Sequence, residues 1–154
     1  MSTAAVRGQP ALAYSEAGGA EATRRLLGAG HPFTAIVAGN DLIALGVLAV
    51  LAEAGIGCPD AVSVVGFNDL PMVDKLTPPL TTIRLPLAEI GALSARILLA
   101  QIDATIPDGQ VTQSLLGVRL AIRGTTAPPP PAATLPAPHP PADHDPQGAK
   151  PRRS

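Results

Sequence analysis

Two short apolar runs in this chain end in the same way, and that shared ending limits the fold more than any other feature. Residues 34–37 read TAIV and continue as AGND; residues 62–65 read VSVV and continue as GFND. Each run is almost free of polar residues, which marks a strand covered on both faces rather than one alternating between core and water. Between them lies LIALGVLAVLAEA, residues 42–54, with Glu53 its only charge. Asn40 or Asp41 can cap that stretch as a helix and Gly55 can end it. Strand, helix and strand within residues 33–67 make a βαβ unit, and its right-handed crossover sets the two strands parallel. Their carboxyl ends, and both Asn-Asp pairs, then share one edge of one sheet.

Ligands of open parallel sheets bind beyond the carboxyl ends of the strands. Asn40 and Asn68 stand at two such ends. An amide both donates and accepts, which suits the hydroxyls of a polyol or a nucleoside. The plainer alternative is that each Asn or Asp only caps a helix or a turn, as is common where a strand feeds a helix. The division of labour expected here makes Asn40 and Asn68 the ligand contacts. Asp41 and Asp69 are then caps or secondary ligand contacts. The helix over 42–54 has no polar stripe, so its second face must also be covered, by its own chain or by another subunit.

The remaining elements are simpler. Residues 15–27 form a helix with Ser15 as N-cap and Arg24 and Arg25 near its far end, although two glycines weaken its first turn. Residues 80–85 are extended, and Pro86 suits the first turn of a helix over 87–102. That helix places Leu87, Ile90, Leu93, Ile97, Leu98 and Gln101 on one face. A turn at Asp108-Gly109 leads to a last strand over 114–122. Residues 1–13 show no periodicity and read as loose. From residue 127 onward the chain holds ten of its 18 prolines and reads as a disordered tail. One α/β domain, residues 14–126, remains. Aromatic residues are 2% of the chain, so its core must be Ala, Leu, Val and Ile.

Several function classes find no support. A formal charge of −1 gives no electrostatic reason for direct nucleic-acid binding. Cys58, the single cysteine, rules out an internal disulfide and cysteine-based metal sets and fits a reducing cytosol. The N-terminus lacks the pattern of a secretion signal, and no stretch is long and apolar enough to cross a bilayer, so a cytoplasmic location with no membrane partner is expected. Of the histidines, His139 and His144 lie in the tail and His31 precedes a proline. No Ser-His-Asp set, glycine-rich phosphate loop or HExxH motif is present, so no enzyme, no metal and no cofactor is expected.

The residues also resemble a known family. Ala38-Gly39-Asn40-Asp41 with Ala44-Leu45-Gly46, then Val65-Gly66-Phe67-Asn68-Asp69, then the LTPPLTTI of residues 76–83, then Arg123-Gly124-Thr125-Thr126, follow the order and spacing of the C-terminal part of LacI/GalR bacterial transcription regulators. The match covers residues 14–126. The resemblance implies a partial Rossmann-like parallel sheet of a periplasmic-binding-protein-like sensor, with an effector in the cleft between two subdomains. Asn40 and Asn68 would bond a sugar or nucleoside-like effector. Leu42, Leu45, Leu48 and Leu51 would contribute to a homodimer contact. Operator DNA would be reached only through an N-terminal domain expected to lie outside this chain. Residues 80–85 would be a crossover between subdomains, leaving helix 87–102 to pack on a subdomain mostly outside this chain. Two positions depart from the family: Asn68 replaces a common aspartate and Leu85 a common glutamine, and both changes make the pocket less polar. A solute-binding component of a sugar uptake system shares this fold and is the alternative, though it would need an export signal.

Overall fold

A computed structural model describes residues 8, 13–103 and 113–129 of the chain. The Asp108-Gly109 turn and almost all of the expected loose N-terminus (1–13) and disordered tail (127–154) lie outside the described residues. The elements run α1 (Glu16–Gly28), β1 (Ala35–Val37), α2 (Asp41–Glu53), β2 (Ser63–Asn68), a short 3₁₀ turn (Val73–Lys75), β3 (Thr81–Arg84), α3 (Leu87–Ile102) and β4 (Arg119–Ala121). They build one sheet of order β1-β2-β3-β4. The first three strands are parallel, with Ala35 beside Ser63 and Val65 beside Thr81, and β4 lies antiparallel on β3. The α/β class and the parallel βαβ unit are as the sequence implies. The last strand is shorter than expected, covering 119–121 of the 114–122 anticipated.

The core explains why α2 lacks a polar stripe. One side of the helix puts Ile43, Ala44, Val47 and Leu51 against Val62 just before β2, Val64 of β2, Val73 and Leu80. Each such side chain contributes roughly 1.5–3 kcal/mol by leaving water. The other side is covered by α1, so the second cover comes from the same chain. Leu51, expected at a dimer contact, is only 1% exposed and belongs to this core. Glycines permit the close approach of the two helices. A Cβ on Gly19 would lie 2.3 Å from the Ile43 carbonyl oxygen, and one on Gly46 would lie 2.0 Å from that of Glu16. The first-turn glycines of α1 thus trade helix propensity for contact. Ser15 caps α1 as expected, accepting from the Gly18 N–H at 3.1 Å. An Arg24–Glu53 ion pair at 3.0 Å also joins the helices, but both side chains are exposed and it adds at most about 1 kcal/mol.

Residues 123–126 close the sheet. Thr125 is fully buried, and its hydroxyl accepts from the Thr81 N–H at 2.8 Å and donates to the Val64 carbonyl at 2.7 Å. Its own carbonyl accepts from the Val64 N–H at 2.8 Å. One threonine therefore satisfies β2 and β3 at the point just before they begin to pair. Next to it, the Gly124 N–H donates to the Pro79 carbonyl at 2.8 Å. By contrast, no residue of α3 is buried, and Leu87, Ile90 and Leu98 of its expected apolar face are open to solvent. No helix among the described residues is long and apolar enough to cross a membrane.

Replacing Gly46 by Ala sets two effects against each other. Helix propensity favours Ala by about 1 kcal/mol. The 2.0 Å approach to a backbone oxygen cannot be relieved by a rotamer change, and overpacking of this kind costs about 1–3 kcal/mol. Gly46→Ala is therefore expected to lower the urea midpoint. A midpoint that rises instead would mean that α1 does not lie this close to α2.

Candidate functional site

The carboxyl ends of β1, β2 and β3 share one edge of the sheet, and AGND, GFND and Arg84 meet there. Asn40 is the N-cap of α2: its extended backbone lets Oδ1 accept from the Ile43 N–H at 2.7 Å. Because the partner is a backbone donor, the bonded atom must be the oxygen, which leaves the half-buried amide with only its NH₂ to offer. Asn68 ends β2 with a φ of 117°, followed by Asp69 at 60° and Met72 at 85°. Positive φ in residues with a Cβ is uncommon and costs on the order of 1–3 kcal/mol each. Among the described residues the Asn68 amide has no hydrogen-bond partner, so this strained position presents an uncommitted donor and acceptor.

The two aspartates do something other than the capping expected of them. Asp41 is fully buried as the first residue of α2, so it is neither the cap nor exposed to a ligand. Its Oδ2 accepts from the Leu70 N–H at 2.7 Å and its Oδ1 from the Thr82 hydroxyl at 2.6 Å. The same oxygen lies where a Cβ on Gly66 would be, at 2.3 Å. Gly66 of GFND is thus required by Asp41 of AGND, and the two motifs form one contact. A carboxylate at a helix N-terminus is also favoured by the helix dipole.

Asp69 caps nothing among the described residues; its carboxylate is shared by two arginines. Oδ1 accepts from Arg123 Nη2 at 2.7 Å, and Oδ2 accepts from Arg84 Nε. Burial pushes this carboxyl up, but the hydrogen bonds and charges of Arg123 and Arg84 outweigh it and hold the group below its ordinary range. Arg123 also donates through Nη1 to the Leu80 carbonyl at 2.7 Å, tying the closing segment to this edge. Neither arginine was singled out from the sequence as a site residue. The glycine of GFND was a usable signal of close approach, whereas nothing local indicated that Arg123 would meet Asp69.

Two cavities lie beside α2, and neither includes Asn40 or Asn68. One of about 350 Å³ is lined by Leu45, Leu48, Ala52, Ile56, Cys58 and Leu76 on the outer side of α2. The other, about 260 Å³, lies between α1 and the end of β1, beside Tyr14, Leu26, Val37 and Gly39. Burial pushes the Cys58 thiol up, the Val64 backbone opposes and Asp60 adds to the rise, so the group stays protonated and is a weak nucleophile.

A mainly parallel sheet with amides at its carboxyl edge defines an α/β domain of the open-sheet type, a class whose ligands bind beyond that edge. A family model described as a periplasmic binding protein-like domain matches residues 3–126. The HTH-type transcriptional regulator MalR of Streptomyces coelicolor is 36% identical over 114 residues, spanning 74% of this chain and 32% of MalR. GalR of Escherichia coli is 39% identical over 88 residues, spanning 57% of this chain and 26% of GalR. Among solved structures, a LacI family regulator of Enterococcus faecium with bound ribose is 36% identical with a TM-score of 0.64, covering 75% of this chain and 41% of its own. One from Arthrobacter in complex with lactose is 30% identical with a TM-score of 0.64, covering 74% and 42%. A CelR–cellobiose complex is 28% identical with a TM-score of 0.68, covering 73% and 34%. The chain belongs to the periplasmic-binding-protein-like domains of the LacI/GalR family of transcriptional regulators. It spans about a third of the length of MalR.

Two substitutions test this arrangement. Asp41→Ala leaves the Leu70 N–H and Thr82 hydroxyl unpartnered in the core, and hydrogen bonds to a charged acceptor are worth about 1.5–3 kcal/mol each. A loss on the order of 3 kcal/mol in urea unfolding is expected, and a loss below about 1 kcal/mol would deny Asp41 this role. Asp69 carries a pH signature. Its native pKa lies below the unfolded value of about 3.9, so its stabilisation is complete above that value and vanishes as pH falls through the native one. The stability gap between the parent chain and Asp69→Asn should therefore be constant at neutral pH and close on acidification below pH about 4. A gap that widens in acid would contradict the ion-paired carboxylate.

Proposed function

We propose that the chain forms the effector-binding and dimerisation part of a LacI/GalR-type transcriptional regulator, with a sugar or related polyol bound at the carboxyl edge of the sheet. The single observation that carries this reading is Asn68, held at a φ of 117° at the end of β2 with its amide unengaged. Strain at a position whose side chain bonds nothing among the described residues supports a residue kept for a ligand. Asn40 supports it from the neighbouring strand end, where its Nδ2 donates to a ligand hydroxyl while Oδ1 holds the helix cap. Neutral hydroxyls suit such amides, and ribose, lactose and cellobiose are the ligands of similar solved proteins.

In this reading the chain works in the cytoplasm without cofactor, catalysis or membrane, and operator DNA is contacted through a separate DNA-binding domain. A homodimer uses the outer side of α2, where Leu42 is 41% exposed and Leu45 and Leu48 border the larger cavity.

Calorimetric titration of the chain with ribose, galactose, lactose and cellobiose tests the site. Asn40→Asp keeps a capping oxygen but removes the donor, and Asn68→Gly removes the amide while accepting the positive φ. Both are expected to weaken binding tenfold or more without lowering the thermal midpoint. Unchanged affinity in both variants would move the site elsewhere. In the same samples sedimentation velocity should report a dimer that Leu42→Glu dissociates, and a monomeric parent chain would overturn the dimer contact.

A further inference from the structure

Beside Asn68 the sheet gathers arginine side chains that outnumber the one carboxylate bonded to them among the described residues. Asn68 is the register partner of Arg84, and Arg84 of Arg119, so one row crosses β2, β3 and β4 at the carboxyl end of the parallel strands. Directly opposite residues of an antiparallel pair share one side of the sheet, with Cβ atoms about 4.5–5.5 Å apart, and like charges there destabilise the pairing. That side also carries α2, because Thr82, two residues before Arg84, gives its hydroxyl to Asp41. Arg123 reaches the same group of side chains through Asp69. Two guanidinium groups thus share one carboxylate, and a third, that of Arg119, stands opposite Arg84.

Asp69 makes one contact with Arg84 and, among the described residues, none with Arg119. Its Oδ1 is taken by Arg123 and its Oδ2 by Arg84 Nε. That bond occupies one edge of the Arg84 guanidinium and leaves Nη1 and Nη2 without partners among the described residues. The Arg84 side chain is 60% exposed. Arg119 is exposed and, among the described residues, its guanidinium has no hydrogen bond or ion pair. A clamped guanidinium with its outer fork open, opposite a second one, is the geometry that accepts a planar carboxylate or a phosphate group.

We propose that Arg84 and Arg119 form an anion subsite, so that the effector is a sugar or polyol bearing a carboxylate or phosphate group, its hydroxyls at Asn68 and its anionic group on the arginines. The inference rests on reading the carboxyl edge as the effector site, and it separates this chain from the ribose, lactose and cellobiose binders, whose ligands are neutral. Calorimetry of the full chain with ribose against ribose 5-phosphate, galactose against galacturonate, and inorganic phosphate alone distinguishes the cases. An anionic sugar is expected to bind at least tenfold more tightly than its neutral parent, with an advantage that shrinks as salt rises. Preference for the phosphate ester or for the uronate identifies the anion. Arg119→Gln should bring the ratio close to one at an unchanged thermal midpoint. Equal binding of parent and anionic sugars overturns the subsite and leaves the sugar reading standing, whereas no binding of any sugar overturns both. Inorganic phosphate binding as tightly as the phosphate ester, or an advantage that survives both Arg119→Gln and Arg84→Gln, also overturns it.

Discussion

The carboxylate of Asp41 is the constraint on which the rest of this structure depends. It is buried at the start of α2, where a carboxylate without partners would be strongly disfavoured. Two donors satisfy it, the Leu70 N–H from the loop after β2 and the Thr82 hydroxyl from β3. The group therefore joins the ends of three successive elements across one point. It also excludes a side chain from position 66, where a Cβ would lie 2.3 Å from Oδ1. Just beyond this junction the backbone takes positive φ at Asn68 and Asp69.

Around that point the fold is closed by contacts of small groups. Gly19 and Gly46 bring α1 onto α2 closely enough that an apolar helix is covered on two sides by its own chain. Thr125 performs the equivalent task at the opposite edge, satisfying the backbone of Val64 and Thr81 together. The other end of the chain's organisation is α3, whose apolar residues meet no core. The molecule therefore has a well-packed centre on one side of β2 and β3 and an open apolar helix beyond Pro86.

Most of the fold was legible in the sequence because periodicity and composition are local signals. The apolar runs before AGND and GFND, the helix between them and the Ser15 cap all depend on residues within one or two turns of each other. The carboxyl edge was legible for the same reason, since strand order follows from a right-handed crossover. The partition of roles among the four polar residues was not. Asn40 proved to be the cap, Asp41 a buried strut and Asp69 the shared partner of Arg84 and Arg123, because each role is set by what lies across space. Leu51 passed from an expected contact with a second subunit to the core for the same reason.

The sequence alone determined that a βαβ unit exists, that its strands are parallel and that two Asn-Asp pairs share an edge. These conclusions need only the alternation of side chains along a strand, the handedness of the crossover and the turn chemistry of Gly, Asn and Asp. Tertiary structure decided which polar atoms remain available. Asn40 keeps its donor while its oxygen is engaged in the cap, Asn68 keeps both uncommitted, and two arginines share one carboxylate. A side chain's hydrogen-bonding capacity is fixed by its chemistry, but how much of it is already spent depends on neighbours far away in sequence, and only the packed chain brings those neighbours within reach.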